Sequence, residues 1–294
     1  MKIAITGASG LIGTPLVAAL LADGHDVVRL VRGTSTDSDD VRTWDARTLD
    51  PATIADREAV VHLAGAGVAD HRWTEAYKKI VLDSRVQGTT AVAQAMAEAA
   101  GPRVLLSASA IGWYGDTEDR LTDESGPSGQ GFLADVCRQW EQSTAAAETA
   151  GVRVAHLRTG IVLSGHGGAL KKQAQAARAF AGAPLGTGRQ WTSWISLKDE
   201  VDAIRHLLTA DVSGPVNLVG PTPVTNLEFT RTLNRVVHRP TIPVPVPAFV
   251  LRALLGEFAD EGVLVGQRLA PAVLERTGFH FAHRDLEAAL RASL

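Results

Sequence analysis

Apolar and polar positions along this chain alternate between two periods. A short apolar run, Ile3 to Ile5, gives way to glycines at 7, 10 and 13 and then to an amphipathic stretch over residues 11–21. That order predicts a strand, a tight turn and a helix. Gly24 ends this helix and residues 25–31 read as a second strand. Residues 41–45 form a short third strand, 51–57 a short helix, and 59–67 an almost continuous apolar run, as a strand buried on both faces requires. A long helix follows over 73–100, stopped by Gly101-Pro102, then a strand over 103–110, a turn-rich stretch to residue 131, a helix over 132–150 and a strand over 152–158. Strands alternating with helices in this way predict a doubly wound parallel α/β sheet with right-handed crossovers.

Beyond residue 165 the rhythm changes. Glycines at 165, 167 and 168 precede a helix over 169–180, and residues 183–195 form a loop dense in glycine, tryptophan and polar groups. Trp191 and Trp194 in that loop either cover a small polar ligand or pack a corner between two subdomains. A helix over 196–208, a strand over 215–219 and a helix over 225–237 come next. Prolines 240, 243, 245 and 247 make a stiff extended strap, and the remainder reads as short helices around Gly256, Gly262 and Gly278. The expected division is a Rossmann-type nucleotide-binding domain over 1–164, to which 196–220 returns. A smaller mixed α/β substrate-side subdomain is expected from 165–195 and 221–294.

Composition narrows the class. The 294 residues suffice for one large domain or two modest ones, and 45% hydrophobic with 21% charged residues is ordinary for a soluble globular chain. A net charge of -3 gives no reason to expect nucleic acid or an anionic membrane as partner. Met1 and Lys2 lead straight into a strand rather than a signal peptide, so a cytoplasmic location is expected. The single cysteine, Cys137, excludes an internal disulfide and a cysteine-based metal cluster, and reads as a small buried apolar residue.

The opening turn carries the candidate chemistry. Gly7 can take the angles of a sharp turn, Gly10 lets the main chain approach a pyrophosphate, and Gly13 lets the helix pack close to the strand. Phosphates would rest on free N–H groups at the helix start, around Ser9, Leu11 and Ile12, where the dipole favours negative charge. The residue ending the second strand meets the adenosine ribose in such folds: an acid binds a 2′-hydroxyl, an arginine a 2′-phosphate. Here the stretch is Arg32-Gly33-Thr34-Ser35, with no acid, which favours NADP over NAD. Arg29 lies one alternation out of step and ranks below Arg32. Asp45 falls where a carboxylate accepts from an adenine amino group, and equally where an Asp caps a turn. Leu63, Ala64 and Gly65 would let the backbone pass close to the ribose and diphosphate, while His62 reads as a satisfied core histidine. Ser107, Ser109 and Tyr114 stand at a strand's carboxyl end, where ligands sit in open α/β sheets.

Thr6 followed by Gly-x-x-Gly-x-x-Gly resembles the extended branch of the short-chain dehydrogenase/reductase superfamily, whose members bind NAD or NADP. Further pieces resemble one subgroup, the NAD-dependent epimerase/dehydratase-like proteins labelled epimerase family member 39U. They are Trp73-Thr74 with Ser84-Arg85, the run from Ser107 to Gly115, Trp140-Glu141, Arg158 to Leu163, the 186–195 loop, and a tail with Gly266-Gln267-Arg268, Pro271 and Gly278-Phe279. The resemblance spans the chain and implies an NADP binder with a small C-terminal domain; Arg85, Ser107 and Arg158 complete the expected cofactor set. It also implies a catalytic Tyr-x-x-x-Lys pair, in which the lysine lowers the tyrosine's pKa. This chain departs from it. Tyr77 is followed four residues on by Val81 and Tyr114 by Glu118, and the positions counted back from Trp140-Glu141 hold Leu133 and Cys137, or Phe132 and Val136.

The first expectation is therefore an NADP(H)-binding oxidoreductase acting on a small polar carbonyl or alcohol, with Ser109 polarising and Tyr114 carrying the proton. Its substrate would lie between Trp113, Tyr114, Arg158, the 189–194 loop and the tail. Asp116, Glu118 and Asp135 are alternative proton carriers, and Lys171 and Lys172 alternative cations. The rivals are a non-catalytic NADPH-sensing regulator, which the missing pair favours, and a sugar-nucleotide epimerase/dehydratase. A homodimer through the helices over 73–100 and 132–150 is a further expectation.

Overall fold

The structure, a computed structural model, describes residues 1–33 and 38–294; Thr34 and Ser35, expected beside the adenosine, lie outside the described residues. In chain order the strands are β1 (Lys2–Thr6), β2 (Asp26–Arg32), β3 (Val41–Trp44), β4 (Ala59–His62), β5 (Val104–Ala110), β6 (Arg153–Thr159), β7 (Ile161–Leu163), β8 (Trp191–Thr192), β9 (Trp194–Ser196), β10 (Gly214–Leu218) and β11 (Val224–Thr225). The helices are α1 (Gly13–Ala22), α2 (Glu75–Glu98), α3 (Phe132–Gln142), α4 (Ala145–Thr149), α5 (Gly168–Arg178), α6 (Leu197–Thr209), α7 (Asn226–Val236), α8 (Ala248–Leu255), α9 (Ala272–Arg276) and α10 (Leu286–Ser293).

Seven strands form one parallel sheet in the order β10-β6-β5-β4-β1-β2-β3. From β1 the chain winds outward through β2 and β3, then crosses back to β4 and winds the other way. The carboxyl ends of β1 and β4 therefore diverge at a switch point, where open α/β sheets leave a crevice. Leu16 and Leu20 of α1, Ile204 and Leu207 of α6, and Val273, Phe279 and Phe281 of the tail cover one face. On the other, Ala91, Val92, Ala95 and Met96 of α2 and Ala147 of α4 pack over Ala4, Val28, Val60 and Leu105. Every residue of β4 is fully buried, which accounts for its unbroken apolar run. The 24 residues of α2 begin at Thr74, whose hydroxyl accepts from the Tyr77 N–H at 3.1 Å.

After residue 160 the chain builds a smaller layer of α5, α7 and α10 around Trp194, with β7 paired to β9 and β8 to β11. The segment expected to be one loop, 183–195, thus contributes β8 and most of β9. Within it the chain returns to the large sheet as α6 and β10. The proline strap is pinned to 182–186: Ile242 N–H donates to the Gly182 carbonyl at 2.9 Å and Val246 N–H to the Pro184 carbonyl at 2.8 Å.

Two expected helices are shorter than their patterns. Residues 51–57 make only a 3-10 turn over Pro51–Thr53. The helix over 132–150 breaks into α3 and α4, because the Ser143 and Thr144 hydroxyls bond back to the carbonyls of Gln139 and Glu141 at 2.6 and 2.7 Å, competing with the ladder. No helix among the described residues is long and apolar enough to cross a membrane.

The glycine turn is sterically exacting. Gly7 has φ +68°, and a Cβ there would lie 2.7–2.9 Å from the backbone of Leu63 and Ala64. A Cβ on Gly13 would overlap the Gly7 carbonyl and the Ala8 Cα. Gly13→Ala is expected to cost about 2–3 kcal/mol, measured by urea unfolding, because backbone rather than a movable side chain must yield. Gly24→Ala, with positive φ but nothing within 4 Å, is expected to cost about 1 kcal/mol.

Candidate cofactor crevice

Thr6 joins the two strands that frame the crevice. Its hydroxyl accepts from the backbone N–H groups of Leu63 and Ala64 at 3.1 and 3.2 Å and lies 2.7 Å from His62 Nδ1. With two donors arriving, the hydroxyl proton is directed to Nδ1, which leaves the imidazole proton on Nε2. His62 is wholly buried, its ring edge-on to Trp44, and burial pushes its pKa down to about 4. It is a neutral core histidine that fixes residues 63–64 against the opening turn, but only half satisfied, since Nε2 finds no partner among the described residues.

The other wall is the start of α1. Helices α2, α6, α7 and α10 carry side-chain N-caps; α1, like α5 and α8, has none and no acid in its first turn. Ser9 and Gly10 are exposed and Leu11 and Ile12 half-buried, so the free N–H groups of this 10-residue helix open onto the crevice. A Cβ on Gly167 would lie 3.1 Å from Leu11, so the turn after β7 closes over this end. Arg32 is exposed at the end of β2 and has no side-chain hydrogen bond or ion pair among the described residues, while Arg29 is paired with Asp40. Asp45 is a turn cap: it accepts from the N–H groups of Arg47 and Thr48 at 2.7 and 2.5 Å and from the Thr48 hydroxyl at 2.9 Å. Those bonds hold its pKa below the ordinary carboxylate value. Its carboxylate nonetheless stays exposed beside the end of β3.

Beyond β4, residues 63–67 form the far wall. Arg85 of α2 donates to the Ala66 carbonyl at 2.9 Å, Ser84 accepts from the Ala66 N–H at 3.1 Å, and the Tyr77 hydroxyl donates to the Gly67 carbonyl at 2.5 Å. Gly65 is exposed beside Arg85.

Ser109, Tyr114 and Arg158 are brought together in a buried cluster, Tyr114 also lining the cleft at Gly112 and Leu133. Arg158 is 3% exposed and makes a two-pronged pair with Glu141, Nε to Oε1 at 2.8 Å and Nη2 to Oε2 at 2.9 Å. Ser109 donates to the same Oε1 at 2.7 Å. Arg158 Nη1 donates to the Tyr114 hydroxyl at 3.0 Å, which donates to Asn217 Oδ1 at 2.7 Å. The guanidinium also stacks on Trp113, 3.9 Å from the ring centre. Tyr114 is 3% exposed and burial raises its pKa. The expectation that Ser109 and Tyr114 serve a substrate is therefore corrected: both hydroxyls are spent in a buried brace. Arg158 likewise braces the fold rather than the cofactor, and Ser107 is fully buried beside β4.

A family model for the NAD dependent epimerase/dehydratase family matches residues 3–220. The chain belongs to this family. A domain of unknown function, DUF1731, matches residues 246–293. Among epimerase family relatives, protein Mb2239 of Mycobacterium bovis is 47% identical over 98% of this chain and 96% of its own length. The chloroplastic SDR39U1 homolog of Arabidopsis thaliana is 39% identical, over 99% and 86%. Human epimerase family protein SDR39U1, crystallised with NADPH, superposes with a TM-score of 0.90 at 29% identity, covering 100% of this chain and 99% of that one.

For a member of the epimerase/dehydratase family the reaction end is unusual. Leu133 and Cys137, or by the other count Phe132 and Val136, stand where the Tyr-x-x-x-Lys pair is expected; Cys137 is buried, its Sγ 3.6 Å from the Ala110 carbonyl, and burial pushes its pKa up to about 12. Trp194 is wholly buried with its Nε1 donating to the Thr222 carbonyl at 2.9 Å, so it packs a corner; Trp191 donates to Asp119 at 2.8 Å under Arg268. Asp116, Glu118, Lys171 and Lys172 are exposed, and Asp135 pairs with Arg138. A cleft of about 670 Å³ opens beside Leu133, between Gly112, Gly115, Arg120 and the tail residues Leu264 and Gln267. Glu261 at its rim accepts from the N–H groups of Phe132 and Leu133 at 3.0 and 2.7 Å, capping α3 from the tail.

Sequence reading passed over Glu141 as a functional acid and Glu200 altogether. Each lies on its helix's apolar stripe, Glu141 four residues after Cys137 and Glu200 four before Ile204, and that misplaced charge was the available signal. Removing the acid by Glu141→Leu strands a buried guanidinium and is expected to cost about 3–5 kcal/mol in denaturant melts. Glu200 is wholly buried, accepts from the Thr159 hydroxyl at 2.9 Å through Oε1, has no partner for Oε2, and is pushed up to about 8 by burial. The folded chain keeps this proton while the unfolded chain loses it above an ordinary pKa of 4.5. Its contribution to stability is thus full below pH 4.5 and lost as pH rises to about 8. Glu200→Gln is expected to abolish that loss, gaining on the order of a few kcal/mol over wild type at pH 8 and little at pH 4.5, read from melts across that range.

Proposed function

We propose that the chain is an NADP(H)-dependent oxidoreductase that interconverts a carbonyl and an alcohol on a small polar substrate. The observation that carries this reading is the uncapped start of α1 beneath a glycine turn, with an arginine that has no partner among the described residues at the end of the neighbouring strand. A helix end rich in free N–H groups suits a diphosphate, and Arg32 suits the 2′-phosphate that distinguishes NADP from NAD. The backbone of Leu63, Ala64 and Gly65 would flank the ribose. NADPH in the similar human protein supports the same assignment. When bound, the coenzyme supplies or takes up the hydride. The protein's part is to orient it along the sheet edge, to exclude water with the tail that meets α3 at Glu261, and to receive substrate in the cleft beside Leu133.

A second reading, a non-catalytic sensor of NADPH, is favoured by one observation: neither Leu133 nor Cys137 can move a proton at neutral pH. The same gap weighs against a sugar-nucleotide epimerase, whose chemistry requires a base that takes a proton and returns it.

Titration by coenzyme fluorescence separates these readings. NADPH is expected to bind wild type at least about tenfold tighter than NADH, and Arg32→Ala is expected to remove that preference by weakening NADPH alone. A wild-type preference for NADH sinks the Arg32 assignment. NADPH consumption with some member of a panel of carbonyl compounds supports the enzyme; tight NADPH binding with no consumption across the panel supports the sensor.

A further inference from the structure

The far wall of the crevice holds a positive charge that no described residue neutralises. Arg85 Nη1 donates to the carbonyls of Ala66 and Val81 at 2.9 and 3.0 Å, and the guanidinium lies over Trp140, 4.8 Å from its ring centre. No carboxylate pairs with it among the described residues. The ionisable groups that act on it are the Cys137 thiol and the Tyr77 phenol, both held neutral by burial. Its Nε and Nη2 groups make no hydrogen bond among the described residues, and neither is sealed from the surface.

Other inward-facing arginines are treated differently. Arg158 has both oxygens of Glu141, Arg57 has Asp26 and Asp56, and Arg153 spends both Nη groups on the carbonyls of Leu207, Leu208 and Val212. A desolvated guanidinium lacking a counter-charge is costly, and burial lowers its pKa accordingly. The unspent Nε–Nη2 edge is the side that takes a carboxylate through two parallel hydrogen bonds. Gly65 packs on the other side of the guanidinium: a Cβ there would be in ordinary contact with Cζ, Cγ and the spent Nη1 at 3.6–3.7 Å, away from the free edge. The site lies across residues 63–67 from the start of α1, on the opposite side of the crevice from the phosphate-binding turn.

We propose that Arg85 is the docking cation for a carboxylate on the substrate, so that the compounds handled in this crevice are oxo or hydroxy acids. The inference deepens the oxidoreductase reading and rests on it for the reaction, while the anion site stands without coenzyme. It moves Arg85 from the expected cofactor set to the substrate.

Oxalate is the probe and oxamide its uncharged isostere, titrated by calorimetry into the protein with and without saturating NADPH. Oxalate is expected to bind saturably, about tenfold or more tighter than oxamide, and to weaken about a hundredfold in Arg85→Met and about tenfold in Arg85→Lys, which keeps the charge without the fork. NADPH and 2′,5′-ADP are expected to bind Arg85→Met as tightly as wild type. Oxalate binding no better than oxamide to wild type overturns the proposal. So does inorganic phosphate competing as strongly as oxalate, which assigns the edge to phosphate. Weaker NADPH binding by Arg85→Met with 2′,5′-ADP binding unchanged also overturns it, giving Arg85 to the coenzyme. If wild type binds neither NADPH nor 2′,5′-ADP, the coenzyme reading fails, while the oxalate titration without coenzyme still decides the role of Arg85.

Discussion

The contact on which the molecule is organised is a backbone-to-backbone one: the turn from β1 into α1 lies against the end of β4 with no room for a side chain at Gly7 or Gly13. That closeness sets everything nearby. It brings Thr6 within reach of Leu63, Ala64 and His62, so one hydroxyl ties together three groups from two strands. It also points the first turn of α1 at open space rather than at a capping side chain. A helix end left unsatisfied by its own sequence, directly after a glycine turn at the switch point of the sheet, has its donors available for a ligand.

A second constraint fixes the tail to the sheet. Asn217 of β10 accepts from Tyr114 and donates to the Ala270 carbonyl at 2.9 Å, and Glu124 Oε1 accepts from the N–H groups of Asn217 and Val273 at 3.0 and 3.1 Å. With Arg158 and Glu141 behind them, these groups form a continuous buried polar network from α3 to the small C-terminal domain. Networks of this kind stabilise little in sum, because each ion is desolvated, but they penalise any arrangement that leaves one member unpaired. The result is a defined seat for the tail, and with it the carboxylate of Glu261 at the rim of the cleft.

How much of this could be read from sequence depends on the range of the interaction. The parallel sheet and the opening turn were legible because apolar period and glycine spacing are local. So was the core role of His62, a polar residue inside an unbroken apolar run. Tyr114 misled for the opposite reason. Its place at the end of β5 was correctly seen, but the direction of its side chain is set by Asn217, 103 residues on, and by Arg158, and no local pattern reports such partners. Of the two local readings of Asp45, the capping one is seen in the turn at Arg47 and Thr48. The break between α3 and α4 was written in Ser143-Thr144, yet helical periodicity continues across it, so period alone did not show it.

The absence of the Tyr-x-x-x-Lys pair takes on a physical meaning when the two central arginines are compared. Where Arg158 faces the brace, evolution has supplied Glu141, and the hydroxyls of Ser109 and Tyr114 are consumed in satisfying the pair. At Arg85 it has supplied nothing but carbonyls, an indole face and a thiol that stays protonated. A lysine at position 137 would place a second cation beside Arg85, and like charges at close range in a poorly solvated site repel strongly. The lysine, with the lower pKa of the two, would be the one to give up its proton, whereas the thiol found there is neutral in any case. With no lysine on α3 and with Arg85 lacking a carboxylate partner among the described residues, the cation beside residues 65 and 66 is one supplied by α2.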